Sequence, residues 1–204
     1  MGSHRRGALM VLLFVLAAPG MAVSVPTGVG QEANEGCLCH APVAQTTLAL
    51  DGLPDAYEGN TSYLLNLSVS NPSVPDDGAY AGGFRILISN GTLSMNASVG
   101  QEIDGGWTHT EAGAGQRSWT FLWTSPIDNN SRTDFTVHAN AVNGNNAPTQ
   151  DGWSSLSMAV AGVGYEGSLE PKIGIDGVDF ADKLLLALGL AVLVGLLWVS
   201  ARPS

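Results

Sequence analysis

From Thr46 onward, apolar residues recur in short bursts with a period of two. Thr46–Leu50, Tyr63–Ser70, Phe84–Ser89, Ser118–Thr124, Phe135–Val142 and Leu156–Val163 therefore read as strands. Leu65, Leu67 and Val69 fall on one face of the second burst, and Trp119, Phe121 and Trp123 on one face of the fourth. Turn-forming pairs separate the bursts: Asn71–Pro72, Asp77–Gly78, Asn90–Gly91 and Asn143–Gly144. Several short strands at this spacing predict an all-β fold, an antiparallel β-sandwich over residues 46–163. The segment contains no amphipathic helical period of useful length.

Both ends depart from this pattern. Arg5 and Arg6 precede a short apolar run, Ala8–Ala18, which Pro19 and Gly20 break. Residues 1–22 thus read as a signal peptide, with small residues at Gly20 and Ala22 for cleavage after Ala22. At the other end, Leu184–Ala201 carries no charge and lies between Lys183 and Arg202, so residues 183–201 read as a transmembrane helix. A core helix would show a polar face, and this one shows none. Residues 23–45 read as an N-terminal loop and residues 164–182 as an acidic linker. The expected localisation is the cell membrane, single-pass, with the β domain on the extracytoplasmic side and membrane lipid as the partner of the C-terminal helix.

Charge narrows the partners. Eight Lys plus Arg stand against 18 Asp plus Glu, a net charge of −10. Such a surface repels a phosphate backbone, so nucleic acid is not an expected partner. Five Asn-X-Ser/Thr sequons, at Asn60, Asn66, Asn90, Asn96 and Asn129, make the chain a candidate glycoprotein. No Gly-X-Ser-X-Gly or His-Glu-X-X-His motif is present, and no nucleophile–base pair stands out, so catalysis is not expected.

The chemistry-bearing stretch is Cys37–Leu38–Cys39–His40, which holds both cysteines. Three readings compete. The thiols could carry haem c covalently, with His40 as an axial ligand, although the usual signature has two residues between the cysteines. They could gather a transition metal, Zn or Cu, with one or two imidazoles. Or they could close a strained Cys-X-Cys disulfide. Beyond the leader the remaining histidines are His109 and His138. His109, in Gly105–Gly106–Trp107–Thr108–His109–Thr110, reads as part of a turn or strand start and is the better-placed remote ligand. His138 alternates with the apolar Phe135–Val137 pattern, so it is expected to face solvent without a role as a ligand.

In order along the chain stand Thr27–Gly28–Val29–Gly30, the Cys-X-Cys-His cluster, Gly82–Gly83–Phe84 and Thr108–His109–Thr110. Trp119–Thr120–Phe121–Leu122–Trp123–Thr124–Ser125–Pro126 and Asn140–Ala141–Val142–Asn143–Gly144 follow. This set, over roughly residues 26–163, resembles the choice-of-anchor V domain, a prokaryotic relative of the Reeler domain. The resemblance implies an Ig-like β-sandwich, exported and joined to an interchangeable C-terminal anchor. It places Cys37, Cys39 and His40 on the family's Cys-X-X-Cys-His, one spacer residue short, and implies a c-type haem there. It places His109 on the family's Thr-His-Thr position as the distal ligand.

Two functions follow. The first is a membrane-anchored protein for electron transfer or redox sensing. Its haem or metal is held by Cys37, Cys39, His40 and His109, with His40 and His109 as the metal-binding imidazoles and a redox partner as its counterpart. The second is a non-catalytic structural or adhesive surface module that meets a surface ligand, its cysteines paired as a disulfide.

Overall fold

The structure, a computed structural model, describes residues 26–37, 45–76, 78–145, 147, 149–170 and 178–200. The leader 1–22, Cys39, His40 and the middle of the expected linker lie outside the described residues.

The described residues form ten strands. These are β1 (Thr47–Asp51), β2 (Ala56–Tyr57), β3 (Ser62–Ser70), β4 (Gly82–Ile88) and β5 (Thr92–Met95), followed by β6 (Gly100–Ile103), β7 (Gly106–His109), β8 (Ser118–Thr124), β9 (Arg132–Ala141) and β10 (Gly152–Gly162). The six bursts read from the sequence are β1, β3, β4, β8, β9 and β10. The strands form two sheets, one ordered β1-β3-β8-β5 and one ordered β2-β10-β9-β4-β7-β6. Every pairing is antiparallel except the short contact of β2 with β10.

The sheets face each other as a sandwich, and alternation decides which residues meet. Leu65, Leu67, Val69, Trp119, Phe121 and Trp123 project inward from one sheet. Phe84, Ile86, Phe135, Val137 and Ala139 project inward from the other. The large rings pack edge to face or tilted: Trp123 lies 5.1 Å from Phe135, and Phe84 lies 4.9 Å from Trp119 and 5.3 Å from Phe121. Trp119 Nε1–H donates to the carbonyl of Gly113 at 2.9 Å, so even its polar atom is satisfied inside the core.

A helix, α1 (Phe180–Ser200), ends the described chain. Among its described side chains, the large apolar ones between Leu184 and Trp198 are between 51 % and 66 % exposed, on all sides of the helix. Among the described residues no helix is long and apolar enough to cross a membrane. The arithmetic explains this. Asp182 and Lys183 occupy the first turn, which leaves an uninterrupted uncharged run of 17 residues, Leu184–Ser200, within the 21-residue helix. At ~1.5 Å per residue they span ~26 Å, short of a ~30 Å hydrocarbon core.

Candidate functional site

Residues 26–37 form a strap across the outer face of the six-stranded sheet, and successive residues meet successive strands. The Thr27 carbonyl accepts from Gln101 Nε2 on β6. Val29 N–H donates to Thr108 Oγ1 on β7 at 3.1 Å. Asn34 Oδ1 accepts from Arg85 Nε on β4 at 2.9 Å, and the Asn34 carbonyl faces His138 Nε2 on β9 at 2.9 Å. Gly36 rests on Trp153 of β10: a Cβ there would stand 2.5 Å from the indole ring, and the residue's φ of +124° lies in the region that favours glycine. The strap therefore delivers Cys37 to the β10 side of the sheet.

Arg85 is the centre of this contact. Alternation along β4 turns Phe84 and Ile86 inward, so Arg85 points outward, yet the strap leaves it wholly buried. Beside Asn34, its guanidinium donates to the carbonyls of Ile103 at 2.7 Å, Asp104 at 3.2 Å and Val29 at 3.4 Å. Among the described residues every one of these partners is a neutral carbonyl-type oxygen. Burial pulls its pKa down, and the nearby charges of Asp104 and Glu32 act against that shift. Arginine remains charged even so, and its planar fork of donors suits several carbonyls at once.

His138 is the direct cross-strand neighbour of Arg85. It does face away from the core as expected, but it does not face solvent: the strap buries it. The Asn34 carbonyl can only accept, so Nε2 carries the proton and Nδ1 accepts from the Ser155 hydroxyl. Desolvation lowers the His138 pKa and Arg85 lowers it further, while the Asn34 carbonyl and Glu35 act in the opposite direction.

His109 is the last residue of β7 and is buried. Its ring passes over Gly83, where a Cβ would stand 2.7 Å from His109 Cε1 and 2.9 Å from Asn140 Oδ1. Glycine is needed there for room. Around Nδ1 stand the Phe84 N–H at 3.2 Å, Thr108 Oγ1 at 3.3 Å and the Phe84 carbonyl at 3.4 Å. The Phe84 N–H can only donate, so Nδ1 accepts it and the neutral ring carries its proton on Nε2. The Thr108 hydroxyl itself donates to the Phe84 carbonyl at 2.8 Å, which fixes the frame. Gly83 pairs with Asn140, and Asn140 with Trp153. One row across the outer face therefore runs from His109 through Gly83 and Asn140 to Trp153, where Gly36 and Cys37 arrive.

Of the four site residues expected from sequence, His109 and Cys37 lie among the described residues, and Cys39 and His40 lie outside them. Among the described residues no group of three or more His, Cys, Asp or Glu is arranged to hold a metal ion. Arg85, Asn140 and Trp153 were not singled out from the sequence. An arginine between Phe84 and Ile86 was the available signal, since a charge on a strand flanked by core residues calls for a cover.

The sequence matches no family model and no curated protein. Solved structures to which the chain is similar include the Reelin-N domain of F-spondin, 18 % identical over 61 % of this chain and 92 % of that one, with a TM-score of 0.40. The human F-spondin reeler domain is 19 % identical over 59 % and 89 %, with a TM-score of 0.40. A conjugative transposon lipoprotein from Bacteroides eggerthii DSM 20697 is 9 % identical over 56 % and 97 %, with a TM-score of 0.36. Reeler domains, to which the motifs bear a resemblance, are thus among the solved structures that this chain is similar to.

Proposed function

We propose that the chain is a non-catalytic extracytoplasmic module: an Ig-like β-sandwich exported by residues 1–22 and held at the membrane by its C-terminal helix. The observation that carries this reading is the exposed apolar surface of α1. A helix with leucine and valine exposed on every side is an unfavourable neighbour for water, and a lipid environment removes that cost. In the sequence the uncharged run Leu184–Ala201 lies between Lys183 and Arg202, two long cations suited to snorkel to the two surfaces of a thin bilayer. The sandwich supplies what such a module needs: a rigid aromatic core and an outer face rich in hydroxyl and amide groups. A chain truncated before Val178 is expected in the medium, folded and monodisperse, while the full-length protein sediments with membranes. A full-length protein that stays in the soluble fraction without detergent contradicts the tether.

The row from His109 to Trp153 favours a second reading, a haem or metal site. His109 stands over Gly83 at one end of that row. The strap ends beside the same row with Cys37. Cys37, Cys39, His40 and His109 would hold the group, which would supply one-electron transfer. Protein purified from its native host tests this. A visible haem band that survives denaturation, or a stoichiometric metal lost in the Cys37/Cys39 double variant, supports it. Colourless, metal-free protein leaves the structural module alone standing.

A further inference from the structure

The five sequons are equivalent in sequence and very different in structure. Asn66 sits in the middle of β3, paired with Asp51 on one side and Thr120 on the other, so presenting its backbone to an enzyme would break the sheet. Asn90 Nδ2 already donates to Ser131 Oγ. Asn60 has its hydroxyl partner, Ser62, bonded to Thr124 at 2.8 Å. Asn129 Oδ1 holds the Gly59 N–H, and its partner Ser131 is turned to Asp128 and Tyr57.

Asn96–Ala97–Ser98 is unlike the other four. It forms an exposed turn after β5, where the chain crosses from the edge of one sheet to the edge of the other. The Ser98 N–H and the Ser98 hydroxyl both donate to Asn96 Oδ1, each at 2.9 Å. Among the described residues it is the one sequon whose own hydroxyl reaches its own asparagine. Two donors on the carboxamide oxygen draw electron density from the nitrogen and make its N–H protons easier to remove. That is the activation an amide nitrogen needs before it can attack carbon.

We infer that Asn96 is the N-glycan acceptor of the folded, exported domain. The co-reactant is a glycan carried on a polyisoprenyl phosphate or diphosphate. Asn96 Nδ2 attacks C1 of the first sugar, the new N–C1 bond forms, and the C1–O bond to the carrier breaks. The carrier leaves as its phosphate, and one amide proton passes to the transferase. A glycan at this crossing also covers the unpaired edges of β5 and β6, where another chain's strand would otherwise pair. The inference rests on export, so the test uses domain released from intact cells of the native host by protease.

Peptide mass mapping of that material is expected to find a glycan mass on the Asn96 peptide and unmodified Asn66 and Asn90. Asn96→Gln and Ser98→Ala each abolish the added mass, and Ser98→Thr retains it. An unmodified Asn96 in surface-released domain overturns the inference while leaving export intact. Equal occupancy at Asn66 also overturns it, because transfer then precedes folding and the turn geometry plays no part. A domain that protease cannot release from intact cells removes the export reading and this inference with it.

Discussion

On the four-stranded sheet, the residues that alternate with the core stand in solvent: Ser62, Asn66, Thr120, Leu122, Thr92 and Ser94 are all exposed. On the six-stranded sheet, the equivalent positions Arg85 and His138 are buried beneath the chain's own N-terminal strap, and Gly83 is buried beneath the His109 ring. The inner layer between the sheets is almost wholly apolar. The covered outer face is held instead by a buried cation and two histidines. The first layer gains its stability from burial of non-directional surface. The second depends on matched donors and acceptors, because an unmatched one would be costly out of water. The comparison implies that the inner layer carries the fold and that the strapped face positions Cys37.

The largest effect is expected in the inner layer. Trp119 is 1 % exposed, and Trp119→Ala should cost ~3–5 kcal/mol, read by chemical denaturation. Its neighbour Thr120, on the open face, should change stability by less than ~0.5 kcal/mol when replaced by Ala. Similar costs at the two positions would break the distinction between inner and open faces.

Arg85→Ala comes next. It removes every guanidinium bond to Asn34, Val29, Ile103 and Asp104 at once. Losing one partner of a buried hydrogen-bonded group costs ~1–3 kcal/mol. Hydrogen exchange should show residues 26–37 losing protection while the core strands keep theirs. Loss of protection throughout the sandwich would instead make the strap part of the core.

The pH response is smaller. Above about pH 6.5 His138 is neutral in both folded and unfolded chains, and its stabilising frame is complete. Its folded pKa is depressed, so as pH falls from 6.5 towards that value the unfolded chain takes up the proton first. Stability therefore falls over that window. The charged groups around the ring are Arg85 across the strand pair and Glu35 on the strap. His138→Gln should flatten the dependence between pH 7 and pH 5, measured as the difference between the two melting curves. An unchanged slope would show that the ring does not titrate beneath the strap.

The smallest effect lies within the core itself. Thr133 Oγ1 is buried without a hydrogen-bond partner among the described residues. Thr133→Val keeps the shape and removes that cost, so a gain of up to ~1 kcal/mol is expected in denaturant titration. A loss of stability would mean that the hydroxyl is satisfied in solution.

The long strands were legible because each carries several alternations. Leu65, Leu67, Val69, Trp119, Phe121 and Trp123 are all buried on the face that the pattern assigns them. β2, β5, β6 and β7 have two to four residues each, too few for a period to emerge from the sequence. The sequence around His109 therefore reads as a turn or strand start, whereas the residue ends β7. His138 reads as solvent-facing in the sequence but is buried, because alternation gives the face of a sheet and not what covers it. The cover is a segment about 100 residues away in sequence, bound through backbone carbonyls that have no sequence signature. Gly83, which gives the His109 ring its room, is one half of a Gly-Gly pair whose purpose appears only in three dimensions.

Limited proteolysis of intact cells tests the central claim most directly. A broad protease added outside should degrade or release the sandwich, leaving a small membrane fragment that contains Phe180–Ser200. A sandwich that survives intact in sealed cells, but is cleaved once the membrane is opened, would contradict an exported and tethered domain.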